Sequence, residues 1–254
     1  MRICIRAQYP ATGQYDWWEA LKALHPVTDI ELAFHSPDSF VSFVNPGEVI
    51  LAIKTQGLSV PTIHMAHANL SNLSLFMRVF TGTLKIAQAL HCTEIIVHPS
   101  YGSAPDLDAI FDGILLPLLE DHGCNVLWET FLGKRRILTA WEQLAEFCRR
   151  HERSFICYDI CHMQRRETED VIEDIDIHRD LIRAFHFSNW RPVPFKQHLP
   201  VNAGILDYHR ILDHITQIDF EGTATLEYLP EFHHLLVTDA LGLRDKLYKR
   251  ERRR

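Results

Sequence analysis

The cysteines of this chain lack the pairwise spacing of a metal-binding or redox motif. Six are present, at positions 4, 92, 124, 148, 157 and 161, and no two of them form a C-x-x-C pair. Most lie in apolar runs, which is typical of reduced cysteines in a protein core. The first residues, Met1-Arg2-Ile3, do not have the form of a signal peptide. These features predict a cytoplasmic protein.

Long apolar segments and an excess of positive charge are also missing. The longest apolar stretches, such as Ile114 to Leu119, are far shorter than the roughly 20 residues of a membrane-spanning helix. The formal net charge is −7, and 46% of the residues are hydrophobic. We therefore expect no membrane insertion and no general attraction to nucleic acid.

Short apolar runs alternate along the chain with stretches of helical periodicity. Apolar residues recur at three and four residues over 75–90 and 137–150, and a further helix is expected from Pro46, capped by Asn45 and ended by Gly57. Strands are predicted over 3–7, 29–34, 61–66, 94–99, 125–130, 154–159, 182–188 and 223–228.

This alternation predicts right-handed βαβ units and a parallel sheet. Eight such units in 254 residues have the size of a (β/α)8 TIM barrel. The chain shows no linker, repeat or low-complexity tract, so we expect one α/β domain over residues 1–254. A doubly wound open sheet is the alternative, although it would concentrate its site at one switch point.

Six of the eight predicted strands end in a residue that can bind a metal. The carboxyl ends of parallel barrel strands gather at one mouth, where barrel enzymes keep their chemistry. Oxygen and imidazole ligands that converge there describe a divalent-metal site. These strand-end residues are His64, His98, Glu129, Asp159, His186 and Glu227.

Glu129, Asp159, His186 and Glu227 form the centre of this prediction. Three carboxylates and one imidazole would hold Mn²⁺, Mg²⁺, Co²⁺ or Zn²⁺ and leave positions open for substrate oxygens. His162 follows Asp159 by three residues, so it would touch the substrate or a second metal.

The longest irregular segments, 36–45, 99–106, 160–168 and 189–203, all follow predicted strands. The last contains three prolines and is expected to be neither helix nor sheet, but a wall or lid of the pocket. It also carries His198, and we expect Lys196, Asn189 and Trp190 to line the pocket.

Six segments carry a resemblance that covers nearly the whole chain, and together they are specific in order and spacing. They are 59–72 with Ile63-His64-Met65-Ala66-His67, Val97-His98-Pro99-Ser100, Trp128-Glu129-Thr130, Asp159-Ile160-Cys161-His162, Phe185-His186-Phe187-Ser188-Asn189, and His198-Leu199-Pro200 through Gly204 and Asp207. With these segments the chain resembles the xylose isomerase-like barrels, also called the AP endonuclease family 2 superfamily.

The resemblance implies, first, a sugar isomerase or epimerase. In such enzymes one divalent metal occupies the positions of Glu129, Asp159, His186 and Glu227. The carboxylates corresponding to Glu129 and Glu227 move a proton at the carbon next to the carbonyl. A histidine like His162 contacts the substrate, which would here be a small carbohydrate-like molecule. The sequence does not specify the oligomeric state, and a homo-oligomer is one of the alternatives.

The resemblance implies, as the alternative, an endonuclease IV-type phosphodiesterase with three zinc ions, acting on abasic DNA or another phosphodiester. Its ligand pattern maps to His64, His98, Glu129, Asp159, His162, His186, His198 and Glu227. The chain departs from that pattern at Lys196, where the nuclease has a carboxylate, and at Thr130, where it has an asparagine. The mouth loops also carry too sparse a basic face for DNA. Their cations are Arg135, Arg136, Arg165, Arg166, Arg191 and Lys196.

A barrel that has lost catalysis and acts as a binding or scaffold protein is the third class. The intact ligand set argues against it. Three carboxylates at one point cost stability when no metal is bound.

Overall fold

The structure, a computed structural model, describes residues 1–10, 17–100, 106–132 and 137–251. Residues 101–105 of the predicted loop over 99–106 lie outside the described residues, as do Arg135 and Arg136.

Eight parallel strands close into a barrel, as the alternation of elements predicts. Neighbours in the barrel are also neighbours in sequence, except that a hairpin lies between the seventh and eighth barrel strands, and the last barrel strand closes onto the first. The barrel strands are β1 (Arg2–Tyr9), β2 (Asp29–Phe34), β3 (Ser59–His64), β4 (Glu94–Val97), β5 (Asn125–Glu129), β6 (Ser154–Asp159), β7 (Ile182–Phe187) and β10 (Thr223–Leu226).

Helices follow the strands and pack around the barrel. Asn45 caps its helix as expected, since its side chain accepts a hydrogen bond from the backbone N–H of Gly47 at 3.0 Å. The helices are α1 (Trp17–Lys22), α2 (Pro37–Phe43), α3 (Pro46–Thr55), α4 (Leu73–Leu90), α5 (Leu107–Ile110), α6 (Leu116–His122), α7 (Trp141–Arg150), α8 (Thr168–His178), α9 (Tyr208–Gln217) and α10 (Leu236–Glu251). Of the helices in the described ranges, none has the length and apolarity to cross a bilayer.

Two segments predicted to be irregular contain regular structure. The segment 36–45 holds the helix α2, which begins at Pro37 behind the N-cap Ser36. The segment 189–203 holds an antiparallel hairpin of β8 (Asn189–Pro192) and β9 (Phe195–Leu199). Its prolines do not prevent pairing, because Pro192 ends one strand and Pro194 lies in the turn, where no ladder hydrogen bond is needed.

The core has an outer layer between strands and helices and a smaller layer inside the barrel. The inner cluster consists of Ile96, Leu127, Cys157 and Ala184, all fully buried. Side chains alternate between the two faces of a strand, so each of these residues shares the inward face with the strand-end residue two positions later. All six cysteines are buried and unpaired. The inner cluster fills the barrel interior directly below the strand-end residues of the mouth.

Replacement of Leu127 by alanine should destabilise the barrel strongly. Leu127 is 0% exposed, and a buried Leu→Ala change typically costs about 2–5 kcal/mol through lost burial and the cavity it leaves. Urea denaturation of Leu127→Ala should show this loss. The matched control is Leu51→Ala on α3, because Leu51 is 59% exposed. Equal midpoints for the two variants would contradict the assignment of Leu127 to the barrel interior.

Candidate metal centre

The carboxyl ends of four barrel strands bring Glu129, Asp159, His186 and Glu227 to one point in the barrel mouth. Glu129 and Asp159 end β5 and β6, His186 lies in β7, and Glu227 follows β10 by one residue. The Nδ1 atom of His186 lies 3.6 Å from Glu129 Oε1, 3.5 Å from Asp159 Oδ2 and 3.2 Å from Glu227 Oε2. One imidazole nitrogen therefore faces three carboxylate oxygens.

These four inward-facing atoms have no hydrogen-bond partner among the described residues. Glu129 Oε1, Asp159 Oδ2, His186 Nδ1 and Glu227 Oε2 are each buried and unsatisfied. Buried polar atoms are rarely left in this state, because each then loses its hydration without compensation. Four such atoms around one point mark the place where a cation would be bound.

The remaining heteroatoms of Glu129 and Asp159 are held by neighbouring groups. Glu129 Oε2 lies 2.9 Å from His64 Nε2 and 2.8 Å from His98 Nε2. Asp159 Oδ1 accepts a hydrogen bond from the backbone N–H of His162 at 2.8 Å. These contacts orient each carboxylate so that its other oxygen faces the centre.

His186 is oriented by Glu31, a residue that the strand-end argument missed. Glu31 is fully buried in the middle of β2, and its Oε2 lies 3.2 Å from His186 Nε2. The same oxygen accepts hydrogen bonds from the hydroxyls of Thr62 at 3.2 Å and Thr225 at 3.0 Å. A carboxylate behind the imidazole places the ring proton on Nε2 and leaves Nδ1 for a metal. Its sequence signal is an acidic residue inside the apolar run Asp29–Phe34.

Glu227 is paired with Arg6, the second residue that the sequence analysis missed. Arg6 Nη1 forms an ion pair with Glu227 Oε1, and each side chain is 17% exposed. Ile5 of β1 pairs with Leu226 of β10, so the next residues of the two strands are neighbours. A lone arginine within the apolar run Ile3–Ala7 is the signal that could have identified it.

The electrostatics of the centre favour ionised carboxylates. Burial raises the pKa of Glu129, but the imidazoles of His186 and His162 outweigh it and hold that pKa well below its usual range. Burial likewise opposes ionisation of Glu227, and Arg6 and His186 lower its pKa overall. The site therefore presents anionic ligands at neutral pH.

His162 and His198 lie beside the centre and face each other, with ring centroids 5.0 Å apart. His162 Nδ1 is 2.9 Å from Glu129 Oε1 and 3.3 Å from Asp159 Oδ2, which are ion-pair distances without hydrogen-bond geometry. Burial lowers the pKa of His162, but Asp159 and Glu129 raise it to about 9 overall. The ring of Phe131 covers His162 with centroids 3.9 Å apart. Sequence reasoning gave Phe131 no role, because an aromatic residue after a strand is no metal ligand.

A second group of possible ligands shares Glu129 with the first. His64, His98 and Glu129 bring one ligand atom each within 4.8 Å of the others. His64 Nδ1 lies 3.1 Å from the backbone carbonyl of Met65, which can only accept a hydrogen bond. If Nδ1 carries a ring proton for this carbonyl, either a second ring proton or a metal cation must lie between Nε2 and Glu129 Oε2.

The three residues predicted to line the pocket make their polar contacts outside the metal centre. The Asn189 amide donates to the carbonyls of Val201 at 2.8 Å and Leu206 at 2.9 Å. Trp190 is 3% exposed, and its Nε1 donates to the carbonyl of Arg165 at 3.0 Å. These contacts fasten the hairpin to the barrel.

Lys196 forms an ion pair with Glu231 and lies 5.2 Å from the ring centroid of Phe232. Its charge is therefore compensated within the chain.

The donor set fits a hard or borderline divalent cation. Three carboxylate oxygens and one imidazole nitrogen are the ligands that Mn²⁺, Mg²⁺, Co²⁺ and Zn²⁺ accept. Adjacent ligands of an octahedral ion with bonds of about 2.1 Å lie roughly 3 Å apart. The spacings of 3.2–3.6 Å around His186 Nδ1 are close to that value.

Solved structures share this fold at low sequence identity. A D-tagatose 3-epimerase-like protein matches with a TM-score of 0.72 and 17% identity, over 98% of this chain and 96% of the other. The 3-keto-D-glucoside 4-epimerase from E. coli matches with a TM-score of 0.70 and 16% identity, over 96% and 99%. The IOLI protein, whose structure has a bound zinc atom, matches with a TM-score of 0.65 and 13% identity, over 98% and 96%.

Such identities establish the fold alone, and sequence comparison assigns the family. No curated protein sequence matches this chain significantly. A family model for xylose isomerase-like TIM barrels matches residues 6–245, nearly the full length. The chain belongs to the family of xylose isomerase-like TIM barrels.

Proposed function

We propose that this chain is a divalent-metal-dependent enzyme that isomerises or epimerises a small sugar or a related polyhydroxy carbonyl compound. The observation that carries the proposal is the set of four buried atoms without hydrogen-bond partners on Glu129, Asp159, His186 and Glu227. The epimerases with the same fold give it additional support. The proposed metal is one of Mn²⁺, Mg²⁺, Co²⁺ and Zn²⁺, which the donor set accepts.

A divalent ion bound by these four residues would polarise the substrate carbonyl and acidify the neighbouring C–H bond. Glu129 and Glu227 would exchange the proton at that carbon, where the ionised carboxylate that takes the proton becomes the acid that returns it. The inward oxygen of each would use one lone pair for the ion and the other for the proton. His162 would contact the substrate, because its ring lies beside the centre between Phe131 and His198. Phe131 would exclude water above His162.

The purified protein should contain one divalent ion per chain that depends on Asp159. Asp159→Ala removes one of the four ligands, so that variant should lose the ion. Metal at about 100 times its dissociation constant should stabilise the wild-type chain by about 2.7 kcal/mol and leave the variant unchanged. Elemental mass spectrometry and thermal denaturation with and without chelator measure both effects.

His64→Ala serves as the comparison variant for a single-metal site. His64 contacts Glu129 Oε2 and not the inward Oε1, and His98 would still hold Oε2 in this variant, so it should retain the ion. Loss of all metal from His64→Ala would count against the proposal.

A panel of ketoses and aldoses should reveal turnover with proton exchange. In D₂O, product formed by the wild-type chain should carry deuterium at the carbon next to the carbonyl. Glu227→Gln removes an anionic proton acceptor and should lower kcat by about 10²-fold or more. Product analysis by NMR makes the measurement. Turnover without deuterium incorporation would argue against proton transfer with solvent exchange and favour a hydride shift.

Metal-dependent phosphodiester hydrolysis is the second candidate, and the His64–His98–Glu129 group favours it. A second ion there would share Glu129 with the first, which is the arrangement of two-metal hydrolytic sites. Two of the mouth cations are nevertheless compensated within the chain. Lys196 pairs with Glu231, and Arg165 donates to both oxygens of Asp174 at 2.8 Å. A polyanionic substrate would find these charges already neutralised.

A duplex with a synthetic abasic site distinguishes the two candidates. The isomerase proposal predicts no nicking with Zn²⁺, Mn²⁺ or Mg²⁺ at low or physiological salt, and one metal per chain. Nicking that disappears in His98→Ala, together with two or three zinc ions per chain, would establish the hydrolytic alternative. Gel analysis of the labelled strand gives the result.

A further inference from the structure

The four proposed metal ligands share one feature: each divides its two heteroatoms between the centre and a neighbouring group. Glu129 Oε2 contacts His64 and His98. Asp159 Oδ1 accepts a hydrogen bond from the N–H of His162, and His186 Nε2 contacts Glu31. The other atom of each residue faces the centre. The partner that completes this pattern at Glu227 is Arg6.

We propose that Arg6 is a positioning residue for the metal centre, which engages Oε1 of Glu227 so that this carboxylate offers only Oε2 as a ligand. The inference rests on the proposed metal site and adds a residue to it. The contact with Arg6 would prevent Glu227 from binding the metal through both oxygens. One coordination position of the metal would then remain available for the substrate.

The strand register supports a fixed place for this guanidinium. Arg6 lies opposite Glu31 in the pairing of β1 with β2, and it lies beside Glu227 on the other neighbouring strand. Its side chain is 17% exposed, so its contacts are made in a largely dry environment. An ion pair with a guanidinium is charge-assisted, and its fixed fork has more orienting power than an ammonium ion has.

Two effects of Arg6 on a bound cation oppose each other. A cation close to the centre repels the metal, so its loss alone would strengthen metal binding. A partner that orients a ligand strengthens binding, and its loss typically weakens affinity by roughly 10–100-fold. Orientation and charge can be separated, because lysine keeps the charge of arginine but not its fork.

The experiment titrates the metal-free full-length chain with Co²⁺ and compares Arg6→Lys, Arg6→Gln and wild type. The dissociation constant is measured by competition with a chelating dye, and the visible Co²⁺ spectrum reports the coordination geometry. We expect both variants to bind Co²⁺ roughly tenfold or more weakly, with altered spectra. Arg6→Lys retains the positive charge, so it tests the proposal even where Arg6→Gln fails to fold.

Arg244→Gln is the matched control. Arg244 forms a comparable partly buried pair with Asp29 at 2.8 Å, with side chains 18% and 24% exposed. It contacts the carbonyl of Ile3, at the opposite end of the strands from the mouth. The Arg244→Gln variant should have the Co²⁺ affinity and the Co²⁺ spectrum of the wild type.

Three results would overturn the proposal in different ways. If Arg6→Gln bound Co²⁺ more tightly and Arg6→Lys had the wild-type affinity and spectrum, Arg6 would act only through its positive charge. Wild-type affinity and spectrum in both variants would deny it any role at the centre. Failure of the wild-type chain to bind Co²⁺ would instead reject the metal-dependent function, and the inference with it.

Discussion

Concentrated negative charge in the barrel mouth is the constraint on which the rest of the site depends. Glu31, Glu129 and Asp159 are fully buried, and Glu227 is largely so. Two carboxylates about 4 Å apart repel each other by roughly 4 kcal/mol at an effective dielectric constant near 20. The chain accepts this cost without protonating them, because imidazoles and Arg6 surround the group and lower the pKa values of all four carboxyls. A divalent cation would remove the remaining imbalance.

The parallel barrel supplies both the ligands and the groups that orient them. Inward-facing positions at the ends of neighbouring strands point at one axis, so the ligands meet without long loops. Glu31 lies lower on its strand and reaches His186 from behind, while Thr130 links two ligand strands by accepting the N–H of Asp159 at 2.9 Å. Rigid strands thus fix which atom of each side chain faces the centre. A site built on loops would leave those rotations free.

The sequence was sufficient for the barrel and for the strand-end residues, because both follow from periodicity. Burial of a strand forces an apolar run, and the run ends where the chain leaves the sheet at the mouth. Arg6 and Glu31 were not predicted, because they lie within strands. The apolar pattern of a buried strand does not indicate where a charged residue inside it will point. The hairpin of β8 and β9 was not predicted, because prolines usually indicate that a strand is interrupted. The ends and the turn of a two-stranded hairpin nevertheless tolerate proline. Pairings between distant residues depend on register, which periodicity does not specify.

The division of each ligand between two partners also bears on the chemistry. Glu129 Oε2 is engaged by two histidines and Glu227 Oε1 by Arg6, so each carboxylate has one oxygen left for proton transfer. Those oxygens are also the atoms that face the proposed cation. In the proposed reaction, carbonyl polarisation and proton removal would therefore take place within a few ångströms of each other, on neighbouring atoms of one substrate. A carbonyl and the C–H bond beside it meet this requirement. A phosphodiester has no such proton, and in the two-metal alternative Glu129 would be a ligand shared by both ions. The choice between the two reactions thus depends on whether His64 and His98 hold Glu129 by hydrogen bonds or through a second metal.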